Sequence, residues 1–222
     1  MTTDQRVVST SGTRAVETNR VVRNTYALLS LTLLFSALMA FVAMATNAPP
    51  LHFLLVLGGF FGLLFLTQAL RNSVWGLASV FALTGFMGYT LGPIISMYLG
   101  MEGGPQVVMN AFGGTAAIFI GLSVYALTTR KDFSFMGGFL FAGILVAFLA
   151  GLGGLIFQMP GLMLAVSAMF VLLMSGLILY QTSAIIHGGE TNYIMATVTL
   201  FVAIYNLFTS LLHLLMAFSG ND

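Results

Sequence analysis

The chain has 222 residues, of which 59% are hydrophobic and only 6% charged, and its mean hydropathy is +1.02. Soluble domains carry about 25% charged residues, so this composition describes a protein that crosses a membrane several times. Seven Lys and Arg against six Asp and Glu leave a formal charge of +1, too little basic surface for a nucleic-acid partner. The lack of cysteine removes disulfides, iron–sulfur clusters and thiolate chemistry, three scattered His without HExxH spacing argue against a structural zinc site, and no cofactor is expected.

Residues 1–24 are polar, with Arg6, Arg14, Arg20 and Arg23 against Asp4 and Glu17 among Ser and Thr. That composition predicts a disordered tail, able to reach on the order of 80 Å at about 3.3–3.6 Å per extended residue. The first apolar run follows this tail and is long enough to span, which predicts an uncleaved signal anchor. From there the chain divides into runs near the roughly 20 residues that a helix needs to cross the hydrocarbon core. They cover residues 25–45, 51–70, 74–99, 107–127, 135–157, 162–186 and 193–218. The breaks carry turn chemistry, as in Asn47-Ala48-Pro49-Pro50, Glu102-Gly103-Gly104-Pro105, Arg130-Lys131-Asp132 and His187-Gly188-Gly189-Glu190. The expected fold is all-α: a single seven-helix transmembrane domain over residues 25–222, preceded by the tail.

Charge supports the count. With the amino terminus in the cytoplasm, all seven basic residues fall on the inner side and none in the outer segments, as Lys and Arg bias requires. One helix more or fewer would put Arg130 and Lys131 opposite the tail arginines. The carboxyl terminus at Asp222 is then expected on the outer side of the membrane.

Small residues recur at four-residue spacing in Gly58-x-x-x-Gly62, Gly88-x-x-x-Gly92 and Gly143-x-x-x-Ala147-x-x-x-Gly151, faces that let helix backbones approach closely. Gly92-Pro93 inside the third run is expected to kink that helix and free a carbonyl, either shaping the bundle or opening a cavity. The polar residues Gln181, Thr182, Ser183, Tyr205 and Asn206 stand inside the last two apolar runs. Polar groups at membrane depth face other helices or a wet cavity, which makes this cluster the first candidate site. The plainer reading is interhelical hydrogen bonding, worth about 0.6–2 kcal/mol per contact.

No enzymatic constellation emerges. No His is expected near Ser183 to act as a base, and Asp4, Glu17, Glu102, Asp132, Glu190 and Asp222 all lie outside the runs, so no buried carboxylate pair is available. A lone His213 in the last run reads as a packed hydrogen-bonding residue. Arg71 reads as a snorkelling residue at a helix end, and Glu190 as a cap for the last helix.

Several stretches together, RNTY at 23–26, TGFMGYTLGPI at 84–94, GGTA at 113–116, LTTRKDFSF at 127–135 and IIHGGETNYI at 185–194, resemble the Bax inhibitor family of seven-helix membrane proteins, in its Gram-negative bacterial branch. The resemblance runs from about Arg23 to the end. It implies an inner-membrane protein that binds the membrane-anchored ATP-dependent protease FtsH, is its substrate and restrains its attack on other membrane proteins. It also implies that the tail, with Arg6, Arg14, Glu17 and Arg20, is the cytoplasmic handle the protease engages. The wider family is linked to a pH-dependent calcium leak through paired aspartates on the last two helices. By local match those positions are Gln181 and Ala203 here, so the ion-leak reading ranks second to protease regulation.

Overall fold

The computed structural model describes the backbone of residues 3–219 and the side chains of residues 19–219. In chain order the elements are α1 (Thr3–Ala45), α2 (Phe53–Leu70), α3 (Trp75–Leu99), α4 (Gly104–Thr129), a 3-10 turn (Ser134–Met136), α5 (Gly137–Ile156), α6 (Pro160–Ile186) and α7 (Tyr193–Ser219). Among the described residues, seven helices are long and apolar enough to cross a membrane. The chain is therefore a multi-pass membrane protein. Each apolar run becomes a helix because hydrocarbon offers no partner for backbone N–H and C=O groups, leaving the intrahelical ladder as their outlet.

The amino-terminal segment departs from expectation. Residues 1–24 read as disordered, yet α1 extends back to Thr3, while its span-length apolar part begins at Asn19. The physical reason lies in cooperativity. The stretch holds no proline, so a helix nucleated in the bilayer extends outward without a second nucleation step, although Val, Ser, Thr and Gly12 are weak helix formers. The side chains of Arg6, Arg14 and Glu17 lie outside the described residues, as does Asp222; Arg20 and Arg23 are exposed.

Short connections make consecutive spans antiparallel, so the starts of α3, α5 and α7 and the ends of α2, α4 and α6 share one end of the bundle with the start of the α1 span. All the described Lys and Arg side chains gather there. We call it the basic end. The centre is α7, which packs against α1, α3, α4 and α6 and contributes the fully buried Leu200, Phe201, Leu207 and Leu212. By contrast, α2 leans on α3 and α5 on α6 at the periphery.

The small-residue faces behave differently from one another. A Cβ at Gly92 would meet the Ala40 carbonyl oxygen at 2.6 Å, and one at Gly88 would run into the Ser36 carbonyl, so this pair lets α1 and α3 touch backbone to backbone. On α5, a Cβ at Gly143 would meet Leu173 Cδ2 at 2.6 Å, and Ala147 is fully buried against the bundle. Gly58 and Gly62 do not make such a face. A Cβ at either position meets nothing within 4 Å, and the close approach on α2 is made by Gly59 under the Phe86 ring instead. α3 passes through Pro93 as an unbroken helix, with Gly92 one residue earlier seated on α1.

Candidate functional site

The five polar residues of α6 and α7 do not converge. Consecutive residues on a helix point about 100° apart, so Gln181, Thr182 and Ser183 face three directions near the basic end of α6. All three are buried. The Thr182 hydroxyl pairs with Tyr26 Oη of α1 at 3.1 Å. Ser183 turns to the α4–α5 connection. Gln181 is 5% exposed and its Nε2 has no hydrogen-bond partner. Ala203, the position matched with it by the family resemblance, is fully buried in α7.

Tyr205 and Asn206 lie deeper. Asn206 donates through Nδ2 to the carbonyl of Val202, one turn back on its own helix, at 2.8 Å. Both side chains are half-buried because they border cavities and not protein alone. One cavity, about 490 Å³, lies between α2 and α5, with α3, α6 and α7 behind it; Phe60, Phe141 and Phe170 form its walls, and Thr90, Tyr205 and Asn206 lie at its back. A second, about 570 Å³, lies between α1 and α4 and is lined by Leu33, Phe112, Phe119 and Phe208. Tyr205 borders both, so α7 forms the wall between two clefts. Neither Gln181 nor Pro93 lines either cleft, so neither cleft joins the polar residues of α6 to the Gly92-Pro93 step of α3.

The polar chemistry of the basic end is structural in character and was mostly missed by sequence reasoning. Ser183 Oγ accepts from the backbone N–H of Phe133 at 3.0 Å and donates to the Lys131 carbonyl at 3.1 Å. His187 Nδ1 lies 2.9 Å from the Ser183 carbonyl and 3.3 Å from Ser183 Oγ, and Nε2 lies 3.1 Å from the Arg130 carbonyl. A His therefore lies against Ser183, although the serine hydroxyl donates to the Lys131 carbonyl. The i, i+4 spacing was available in the sequence, but the Ser183 hydroxyl is held on both sides by the neighbouring loop, which is the geometry of a clasp. Arg130 sits in the left-handed region at φ 49°, where it caps α4 and aims its carbonyl at His187. Asp132, exposed beside it, accepts from the Ser134 backbone N–H at 2.8 Å; that bond, reinforced by the Ser134 side chain and the nearby His187, holds its carboxyl below the usual carboxylate range.

Glu190 is not itself the cap of the last helix. Its Oε1 accepts from the Asn192 N–H at 2.8 Å, and Asn192 is the cap, its Oδ1 accepting from Ile194 and Met195 N–H at 3.0 and 3.1 Å. The same Asn192 donates through Nδ2 to the Arg71 carbonyl and Asn72 Oδ1, both at 3.0 Å. Residues 183–192 thus tie down both other connections of the basic end. Towards the opposite end, His213 Nδ1 pairs with Ser167 Oγ at 2.8 Å, the packed role expected of it.

The bundle defines a class, the seven-helix polytopic membrane proteins whose last helix runs through the centre. The family model described as "Inhibitor of apoptosis-promoting Bax1" matches residues 18–220, and the chain belongs to the Bax inhibitor family. It is 50% identical over 219 residues to the Escherichia coli protein named "Modulator of FtsH protease YccA", covering 98% of this chain and 99% of that one. An uncharacterized protein of Pseudomonas aeruginosa is 59% identical over 206 residues, 93% of either chain. An uncharacterized membrane protein of Vibrio cholerae is 44% identical over 210 residues, 94% of either chain.

Proposed function

We propose that this chain is an inner-membrane regulator of the FtsH protease, binding it, serving as its substrate and restraining its action on other membrane proteins. The observation that carries the proposal is the 50% identity to the E. coli modulator over nearly the full length of both chains, amino-terminal arm included. On this reading the protein is not an enzyme. Residues 1–24, with Arg6, Arg14, Glu17 and Arg20, form the cytoplasmic handle, and residues 25–222 form the body that must be dragged out of the bilayer. Two features support that division. The arm projects beyond the apolar span, whose membrane part begins at Asn19. The connections at the same end are clasped to one another through Ser183, His187 and Asn192, which opposes stepwise extraction of hairpins.

Ion leak remains the second reading. It is disfavoured because the paired positions carry a neutral amide and a methyl group, Gln181 and Ala203, and neither can bind and release a proton as a carboxylate does. The test is a pulse-chase with co-purification in cells containing FtsH. Deleting residues 2–20 is expected to leave an inserted protein that the protease no longer degrades. Equal decay of truncated and full-length chains would remove the handle from the proposal, and failure of the full-length chain to co-purify with FtsH would remove the partner.

A further inference from the structure

We propose that the cleft between α2 and α5 is a binding site for a lipid-soluble molecule that carries one hydrogen-bond-accepting or hydrogen-bond-donating oxygen on an apolar body. The site is independent of the protease reading and would stand if that reading fell. Its depth is set by Asn206, the middle residue of α7 (Tyr193–Ser219), which lies about 20 Å from either end of the helix at 1.5 Å per residue. A cleft at that level is reached from the hydrocarbon and not from water. Its outer edge is closed at one level, where Phe61 of α2 meets Phe148 of α5 edge to face at 6.4 Å between ring centroids. Its volume, about 490 Å³, is that of a small-molecule site, and its apolar, aromatic walls with a few polar groups at the back follow the same pattern.

The polar back wall distinguishes the cleft from a groove that is merely wetted by acyl chains. Asn206 uses one N–H on Val202, and among the described residues its side chain makes no other hydrogen bond; its carbonyl oxygen and second N–H are left over in a cavity at mid-membrane. An acyl chain fills the walls but leaves the amide unpaired, a costly state in hydrocarbon. A ketone on an apolar body fills the walls and accepts the spare N–H, and a hydroxyl can in addition donate to the amide oxygen. The α1–α4 cleft carries hydroxyls at Ser36, Thr115 and Tyr205 but no side-chain amide, and its Thr115 hydroxyl is already spent on the Ala111 carbonyl.

The test uses the full chain in phosphatidylcholine nanodiscs with two photoreactive probes, an 18-carbon diazirine hydrocarbon with and without a mid-chain ketone, and maps adducts by mass spectrometry. The ketone probe is expected to label cleft residues such as Phe60 and Phe141 about fivefold to tenfold more than the plain hydrocarbon, the preference one hydrogen bond supplies. Both probes should label the lipid-facing Leu54 and Phe65 alike. Asn206→Leu keeps the volume and should abolish the preference. Leu145→Trp, made at a half-exposed position on the rim, should reduce cleft labelling by either probe and serves if the first variant fails to fold. Equal labelling by the two probes in the native protein, or a ketone preference that survives Asn206→Leu, would overturn the assignment.

Discussion

Gly88 and Gly58 carry the same side chain at the same motif spacing and have opposite energetic roles. The first lies against the Ser36 carbonyl, and the second faces open space. Gly88→Ala is therefore expected to force α1 away from α3 and destabilise the fold by about 1–3 kcal/mol, the usual cost of overpacking. Gly58→Ala should be neutral, and paired melting curves in one detergent would check the contrast; equal losses would mean that both faces are packed. Gln181 gives the opposite sign. Its Nε2 is buried without a partner, so Gln181→Leu, which removes the amide and keeps most of the volume, should leave the melting temperature unchanged or raised. A loss of more than about 2 kcal/mol would show that the amide has a partner, such as ordered water. Neither contrast could be read from the sequence. Spacing says which residues share a helix face, while the neighbour on that face is decided by tertiary packing.

Among the elements, the connection between α6 and α7 does more than join two helices. Asn192 caps α7 and also holds the end of α2 through the Arg71 carbonyl. Asn192→Ala should cost about 1 kcal/mol for the cap and somewhat more for the lost tie, with amide exchange quickening at residues 71–73 as well as at the start of α7. Exchange confined to α7 would show that the two loops are not coupled. The seven spans themselves were legible, with the expected ends falling within about three residues of the helices, because length and hydropathy leave hydrocarbon-spanning segments little freedom. Helix α1 was the exception at its amino-terminal side. Disorder was expected from Ser, Thr and charge, whereas continuity with a long membrane helix sets the backbone there. The clefts left no trace in the sequence. Phe60, Phe141 and Phe170 come from three helices, and in the sequence they are indistinguishable from phenylalanines that face lipid.

For the whole molecule, the one-ended gathering of Arg20, Arg23, Arg71, Arg130 and Lys131 predicts which end faces the cytoplasm. Reporter fusions should place the Arg130–Lys131 connection inside and a fusion at Asp222 outside. A cytoplasmic signal at Asp222 would contradict the seven-span count. The placement of α7 carries a consequence for biogenesis. The helix that four others pack around is the last of the seven spans in chain order, and the Thr197 hydroxyl meets the Thr25 carbonyl across 172 residues of chain. The α1–α3 pair can form as soon as both helices are inserted, but the four helices that surround α7 have no centre to pack on until that span enters. A chain that stalls before Tyr193 therefore lacks the helix that joins its other spans into one core.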